Sequence, residues 1–159
     1  MKIAVLLAFG ICNFAFAHRV ISIADGDTLT LLVDHKPVKI RLANIDAPEL
    51  KQPFGQRSKQ SLSNLCWSKD ANFEKQSVDR YGRIVAVVIC GDLNANVGQV
   101  ERGLAWVYPK YNKDPRLPAL QEDAKENGLG LWHELNPMPP WDFRKIKRRD
   151  RSYDTQGTQ

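Results

Sequence analysis

Residues 19–49 constrain the fold more than any other part of the chain, because three short apolar runs follow one another there with turn residues between them. In each run the apolar residues occupy every second position: Ile21 and Ile23, then Leu29, Leu31 and Val33, then Val38, Ile40 and Leu42. A period of two over such short runs predicts half-buried β-strands. The turn residues at positions 25–27 and 34–37 predict that each strand leads directly into the next.

Charged side chains lie at the ends of these predicted strands. Asp25 and Asp27 lie in the first turn, and Asp46 and Glu49 follow the third strand. Arg41 lies within the third strand between two apolar residues, so its side chain points to the face opposite theirs. One short segment therefore offers four carboxylates and one guanidinium group.

These are the residue types that hydrolysis of a phosphodiester requires. Calcium prefers hard oxygen ligands, which Asp27 and Asp46 can supply, and Glu49 can orient or deprotonate a water. The guanidinium of Arg41 can donate two parallel hydrogen bonds to a phosphate, which a lysine cannot. A purely structural role is the alternative, since Asp-Gly-Asp-Thr is a common turn composition and Asp-Ala-Pro-Glu can begin a helix. The residue types alone leave both interpretations open.

The order of three motifs along the chain is more specific than any one of them. The motifs are DGDT at residues 25–28, IRLANIDAPE at residues 40–49 and DRYGR at residues 79–83. In this order they resemble the staphylococcal nuclease (thermonuclease) family, and the resemblance extends from about residue 20 to about residue 132. It implies an α+β, mainly β fold, namely a five-stranded OB-type barrel with three helices, and calcium-dependent cleavage of DNA and RNA.

The resemblance also implies a metal site and a general base. Asp27 and Asp46 match the calcium carboxylates of the family, and Ala47 matches the residue whose backbone carbonyl binds the ion. Glu49 matches the residue usually assigned as the general base. The founding nuclease of the family has threonine at the position of Ala47, a difference that leaves a carbonyl ligand intact. Its loop corresponding to residues 49–54 is longer, so the loop's substrate contacts do not carry over.

Further residues match the family's substrate-binding side chains. Arg41 and Arg83 resemble the two phosphate-binding arginines. Arg80 and Tyr81 fall where the family contacts a neighbouring phosphate, and Tyr111 falls near a tyrosine that stacks on a nucleotide. The resemblance therefore implies DNA and RNA as binding partners.

Helical and extended patterns alternate through the rest of the chain. Leu62 and Leu65 line one face of a predicted first helix. Residues 84–89 form a nearly continuous apolar run, which predicts a strand buried on both faces. Asn96 is predicted to cap a short second helix, and Asp114 with the proline after it predicts the start of a third.

The first 17 residues have the features of a secretory signal peptide. Lys2 supplies a positive charge, residues 3–16 are mostly apolar, and residues 15–17 (Ala-Phe-Ala) match a small-x-small cleavage site. A buried first element or an uncleaved anchor is the alternative, although the stretch is short of the roughly 20 residues that span a bilayer. Cleavage would leave 142 residues starting at His18 and lower the net charge from +5 to +4. We therefore expect a secreted or periplasmic protein with no stable membrane association.

The composition fits one globular domain, since the chain has 159 residues that are 43% apolar and 26% charged. We assign residues 18–135 to the OB-fold domain and residues 136–159 to an extended arm of proline and tryptophan with a basic tail. Residues 144–151 carry six positive charges and one negative charge. Such a tail adds salt-sensitive affinity for nucleic acid, with a solvated, frayed terminus as the alternative.

The cysteines predict one disulfide in the mature chain. Cys12 lies in the predicted signal peptide, so Cys66 and Cys90 remain as an even pair in an oxidising compartment. Cys66 ends the first predicted helix and Cys90 ends the apolar strand, so both should border the same core. The alternative is a pair of free buried thiols that act as small apolar groups.

Two functions from different classes emerge from these observations. The first is an exported, monomeric, calcium-dependent nuclease that cleaves DNA and RNA to 3′-phosphate ends, a polarity taken from the resemblance. The second is an OB-fold module that binds single-stranded nucleic acid without cutting it. A binding module has no need for Asp27, Asp46 and Glu49, so their presence favours the enzyme. The sequence has no glycine-rich phosphate loop and no metal-ligand spacing among its three histidines.

Overall fold

The computed structural model describes residues 17–156, with side chains described up to residue 149, so the predicted signal peptide apart from Ala17 lies outside the described residues. The described part forms short strands, four α-helices and one 3₁₀-helix. In chain order these elements are β1 (His18–Ile23), β2 (Thr28–Val33), β3 (Lys36–Leu42), β4 (Ile45–Asp46), α1 (Gly55–Cys66), β5 (Asp70–Val78), β6 (Ile84–Cys90), β7 (Leu93–Asn94), α2 (Ala95–Glu101), β8 (Trp106–Val107), α3 (Leu117–Glu126), the 3₁₀-helix (Gly130–His133) and α4 (Pro140–Gln156).

Five of these strands close into a barrel. Strands β1, β2 and β3 form an antiparallel meander, and β5 joins β1 to β6. The barrel is closed by a parallel pairing of β3 with β6, in which Ile40 lies opposite Ile84 and Leu42 opposite Ala86. The predicted α+β, mainly β, five-stranded OB-type barrel is confirmed.

The predicted number of three helices is wrong, because the described chain has a fourth α-helix, α4, at its C-terminal end. The predicted extended arm is also wrong beyond Pro139. Helix α4 begins at Pro140, and proline suits the first position of a helix because its fixed φ is already helical and its missing N–H would be unpaired there. The arginines and lysines that follow are good helix formers. No helix in the described part is both long and apolar enough to cross a membrane.

The barrel interior follows the period-two pattern of the strands, with one shift in β1. The pairing of β1 with β2 changes register between Val20 and Ser22. Val20 and Ile23 are therefore buried, whereas Ile21 is 38% exposed. The predicted alternation of Ile21 with Ile23 is wrong, since an irregularity in one strand moves the following side chains to the other face.

Strand β6 alternates as well, although its sequence is apolar at nearly every position. Ala86, Val88 and Cys90 are fully buried, and the residues between them are half-buried. The prediction of a strand buried on both faces is wrong, because only one face of a barrel strand points into the core.

The helices cover the barrel and fix its loops. Leu62 and Leu65 of α1 are buried, as their spacing predicted. The cap of α2 is Asn94, whose side chain accepts a hydrogen bond from the Val97 N–H, so the predicted cap Asn96 is wrong. Asn96 is instead buried inside the helix and binds the backbone of β6. The structure has a disulfide between Cys66 at the end of α1 and Cys90 at the end of β6.

Candidate active site

The turn between β1 and β2 holds Asp27 in a fixed position. The Asp27 N–H donates to the Asp25 carboxylate at 3.1 Å, which makes a local turn. A side chain on Gly26 would meet the Ser58 hydroxyl of α1 at 1.8 Å, so only glycine allows this close approach. The side-chain amide of Gln99 on α2 donates to the Gly26 carbonyl at 2.6 Å. Two helices therefore hold the turn from one side.

The second carboxylate, Asp46, is carried by the short strand β4. Asn44 adopts a positive φ of 68°, a conformation that asparagine tolerates, and the chain reverses there after β3. Asp46 then pairs with Trp106 of β8, and the Asn44 carbonyl accepts from the Tyr108 N–H at 2.8 Å. This reversal returns the chain to the side chain of Arg41.

Arg41 lies between the two carboxylates. Its Nη1 is 2.8 Å from Asp27 Oδ2, and its Nη2 is 2.7 Å from Asp46 Oδ1. The Ala47 N–H also donates to Asp27 Oδ2 at 2.8 Å, and the Thr28 hydroxyl donates to Asp27 Oδ1 at 3.0 Å. The expected site residues Asp27 and Asp46 therefore meet at the guanidinium of Arg41, with Ala47 bound to Asp27.

Burial and neighbouring charges set the electrostatics of this group. Asp46 is only 1% exposed, and burial raises its pKa despite the opposing effect of Arg144 and Arg41. Burial, together with the charge of Asp27, raises the pKa of Asp25 to about 6. Burial alone would lower the pKa of Arg41, but the adjacent carboxylates outweigh it and raise that pKa. The cluster is thus a buried negative site already partly neutralised by cations.

Arg83 approaches the cluster from the turn that precedes β6. Asp79 holds it, because Arg83 Nε donates to Asp79 Oδ2 at 2.7 Å and the Arg83 N–H donates to Asp79 Oδ1 at 3.0 Å. Burial by itself would raise the pKa of Asp79. These hydrogen bonds and one from the Tyr81 N–H outweigh burial, so the pKa of Asp79 is lowered. Arg83 Nη1 lies 3.5 Å from the hydroxyl of Thr28, the residue that also binds Asp27. The predicted second arginine therefore reaches the site through Thr28.

The remaining predicted substrate-binding residues lie on the surface. Tyr81 is 68% exposed and Tyr111 is 54% exposed. Arg80 donates to the Tyr81 hydroxyl at 2.6 Å and lies over its ring, and Lys110 lies over the ring of Tyr111. These two pairs present aromatic faces and positive charge to solvent.

Glu49 has a partner that the sequence did not predict. Its Oε1 accepts a hydrogen bond of 2.9 Å from Nη1 of Arg144 on α4. Arg144 Nη2 also lies 2.7 Å from Asp46 Oδ2. The sequence assigned Arg144 only to the charge of a basic tail. Trp141 could have indicated this contact, because it lies three residues before Arg144 and a tryptophan at that spacing can anchor the same helix face against the domain.

The donor set fits a hard divalent cation such as Ca²⁺. Asp27 and Asp46 are both buried. One oxygen of each carboxylate contacts the guanidinium of Arg41, so these two oxygens point toward the same place. Among the described residues, no group of three or more His, Cys, Asp and Glu side chains could hold a metal ion. An ion at this pair would take its other ligands from backbone carbonyls, such as that of Ala47, and from water, both of which calcium accepts.

Comparison with known proteins places the chain in a family. The sequence model of the family described as "Staphylococcal nuclease homologue" matches residues 39–134. The chain is 43% identical over 139 residues to an "Uncharacterized endonuclease" of Haemophilus influenzae, an alignment that covers 87% of this chain and 78% of the relative. It is 36% identical over 157 residues to a "Micrococcal nuclease" of Shigella flexneri, covering 91% of this chain and 90% of the relative. The chain therefore belongs to the family of staphylococcal nuclease homologues.

Proposed function

We propose that this protein is an exported, monomeric, calcium-dependent nuclease that hydrolyses the phosphodiester bonds of DNA and RNA and leaves 3′-phosphate ends. The observation that carries the proposal is the convergence of Asp27, Asp46 and Arg41, with Glu49 three residues beyond Asp46. Relatives named endonuclease and micrococcal nuclease, similar over most of the chain, support the same reaction class.

Each side chain of the cluster has a separate task in this reaction. A calcium ion bound at Asp27 and Asp46 would polarise the scissile phosphate as a Lewis acid. Glu49 takes a proton from the attacking water, whose oxygen forms a bond to phosphorus as the bond to the 5′ oxygen breaks. The products are a 3′-phosphate and a 5′-hydroxyl, which takes up a proton.

The two arginines stabilise the charge that develops on the phosphate oxygens during this attack. Arg41 Nη1 is buried 2.8 Å from Asp27 Oδ2, so it would become available to a phosphate oxygen when the proposed ion draws the Asp27 carboxylate away. Arg83 is fixed at Nε by Asp79, and its Nη1 faces Thr28 only at 3.5 Å. Neither role involves the sugar, which supports cleavage of both DNA and RNA.

The binding-module alternative rests on the exposed aromatic and cationic pairs, Arg80 with Tyr81 and Lys110 with Tyr111. Such pairs suit stacking on bases. The buried carboxylates Asp27 and Asp46, however, repel a phosphate and serve no purpose in a protein that only binds. This repulsion favours the enzyme.

Cleavage assays with purified mature protein test the proposal. Labelled single-stranded DNA, double-stranded DNA and RNA are incubated with calcium or with a chelator, and the new ends are identified by treatment with a 3′-phosphatase. We expect calcium-dependent cleavage of all three and ends that become extendable only after the phosphatase. Binding of DNA without calcium-dependent cleavage would support the binding module instead.

Export is tested separately by the intact mass of the protein recovered outside the cytoplasm. We expect a chain that starts at His18 and elutes as a monomer. A protein that retains Met1, or that is found only in the cytoplasm, would contradict the proposed export.

A further inference from the structure

Arg144 binds two carboxylates that have roles in the proposed function. Asp46 is the proposed ion ligand, and Glu49 is the proposed base. Its Nη2 is 2.7 Å from Asp46 Oδ2, and its Nη1 is 3.2 Å from Asp46 Oδ1 and 2.9 Å from Glu49 Oε1. The Arg144 side chain is 37% exposed, whereas that of Asp46 is 1% exposed. The Arg144 guanidinium therefore lies between solvent and the buried carboxylate of Asp46.

The first turn of α4 holds Arg144 in this place. The Trp141 ring stacks on Tyr108, with centroids 5.2 Å apart and planes 6° apart, and its edge contacts Trp106 at 5.9 Å. The chain just before the helix is tied down as well, because the side-chain amide of Gln52 donates to the Met138 carbonyl. Residues three apart share one face of a helix, so the anchored Trp141 directs Arg144 toward the cluster.

The oxygens of Asp46 are nearly all engaged by arginine. Oδ1 contacts both Arg41 and Arg144, and Oδ2 contacts Arg144. A carboxylate offers about four lone-pair sites, so three of the four are in use. A calcium ion needs an oxygen at roughly 2.3–2.6 Å, which would bring two positive groups onto the same carboxylate. Like charges at such separations repel strongly where water is excluded.

We propose that Arg144 is a tethered cation that competes with the divalent ion for Asp46, and so sets the ion concentration at which the site is loaded. The inference rests on the proposed calcium-dependent function. Loading then requires the Arg144 side chain to withdraw, which also releases Glu49 to act on water. Arg144 lies outside residues 39–134, the range matched by the family model.

The test is calcium affinity measured by titration calorimetry on the mature protein in the absence of nucleic acid. The variants are Arg144→Gln and a matched control, Arg148→Gln. Arg148 lies one turn further along α4 and is exposed, and its replacement removes the same charge. Its side chain bonds the Arg144 backbone carbonyl rather than the carboxylates of the cluster. We expect Arg144→Gln to bind calcium more tightly by roughly 5- to 150-fold, the usual range for coupling between two binding events. Arg148→Gln should stay close to the parent.

A second measurement covers the case in which Arg144→Gln is poorly folded. Trp141→Ala weakens the anchor but keeps Arg144, so it should tighten calcium binding by a smaller factor in the same direction. Thermal unfolding of Arg144→Gln should show a lower Tm than the parent in chelator and a larger gain on addition of calcium, because the Asp46 charge has lost one partner.

The outcomes separate the two proposals. Equal or weaker calcium affinity in Arg144→Gln, with calcium-dependent cleavage retained by the parent, overturns the competition and leaves the nuclease proposal intact. No calcium binding by any variant, together with cleavage that persists in chelator, overturns the calcium dependence and the competition together.

Discussion

Arg41 near the end of β3 contacts Asp27 just before β2, with Nη1 of the arginine 2.8 Å from Oδ2 of the carboxylate. The sequence assigned these residues to different tasks, one to the phosphate and the other to the ion. Their contact would couple the two tasks in the proposed reaction, because an ion bound to Asp27 would weaken the hold of that carboxylate on Arg41 and free the guanidinium for the phosphate. Substitutions in the cluster should therefore change more than one step of the reaction.

Replacing Glu49 by glutamine keeps the size of the side chain and removes the base. We expect turnover to fall by about 10²–10⁴-fold, the usual contribution of a general base. Affinity for DNA should change little, since Glu49 is not expected to contact the phosphate directly. Single-turnover cleavage of a short labelled strand over a calcium series, alongside binding measured without metal, checks this. Cleavage as fast as that of the parent would remove Glu49 from the mechanism.

Replacing Arg41 by lysine keeps the charge and removes the planar pair of donors. Turnover should fall on the order of 10²-fold, because a donor to the charged transition state is lost, and binding should fall less. Arg116→Lys is the matched control, since Arg116 forms an exposed ion pair with Asp114. A drop in DNA binding equal to the drop in turnover would assign Arg41 to ground-state binding instead.

Replacing Asp27 by asparagine removes one charged oxygen ligand from the proposed ion site. The calcium concentration for half-maximal cleavage should rise by roughly 10- to 100-fold. Asp34→Asn is the control, because Asp34 is exposed in the turn between β2 and β3 and asparagine tolerates its positive φ. A calcium dependence identical to that of the parent would exclude Asp27 as a ligand.

The lowered pKa of Asp79 predicts a pH-dependent contribution to stability. A carboxylate whose pKa is lower in the folded than in the unfolded state stabilises the fold at pH values above its unfolded-state pKa. This stabilisation is lost as the pH falls toward the folded-state pKa. The ordinary value is 3.8. The difference in free energy of unfolding between the parent and Asp79→Asn should therefore be largest above about pH 5 and shrink below about pH 4. Urea unfolding at several pH values measures it, and a constant difference would contradict the assignment.

The pair Cys66 and Cys90 is predicted to be oxidised if the protein is exported as proposed. The two cysteines are 24 residues apart in sequence. A loop of that length corresponds to roughly 3 kcal/mol of stabilisation in the chain-entropy model. Thiol titration of the unfolded, unreduced protein should find no free thiols, and reductant should lower the Tm. Two free thiols in that titration would exclude the disulfide.

The local pattern allowed the strands β1 to β3 to be predicted, whereas the closed five-stranded barrel and the roles of the site residues followed from the resemblance of the motifs to the staphylococcal nuclease family. The strands β1 to β3 are consecutive, and Asp27, Arg41 and Asp46 lie within a single stretch of the chain. The irregularity in β1 was missed, since a hydrophobic pattern does not show where one residue drops out of register. Val20 is buried and Ile21 is exposed for that reason alone.

Helix α4 and Arg144 were missed for a different reason. Proline and basic residues have the composition of a solvated tail, and a short basic helix is marginal by itself. The contact that fixes α4 joins Trp141 to Tyr108, 33 positions away in sequence, and no local pattern reports it. Asn94 and Asn96 posed a similar problem, because both residue types suit a cap and only the pairing of β7 with β6 decides where the helix begins.

The parallel pairing of β3 with β6 joins parts of the chain that are distant in sequence, with Arg41 opposite Val85. Contacts of this kind cost more loop-closure entropy than local contacts, which slows their formation. Arg83 can reach Thr28 only after that pairing has formed. A newly made or still unfolded chain therefore carries the residues of the cluster without their arrangement. The proposed capacity to cut nucleic acid would thus depend on this long-range pairing, and a chain that has not formed it would lack that capacity.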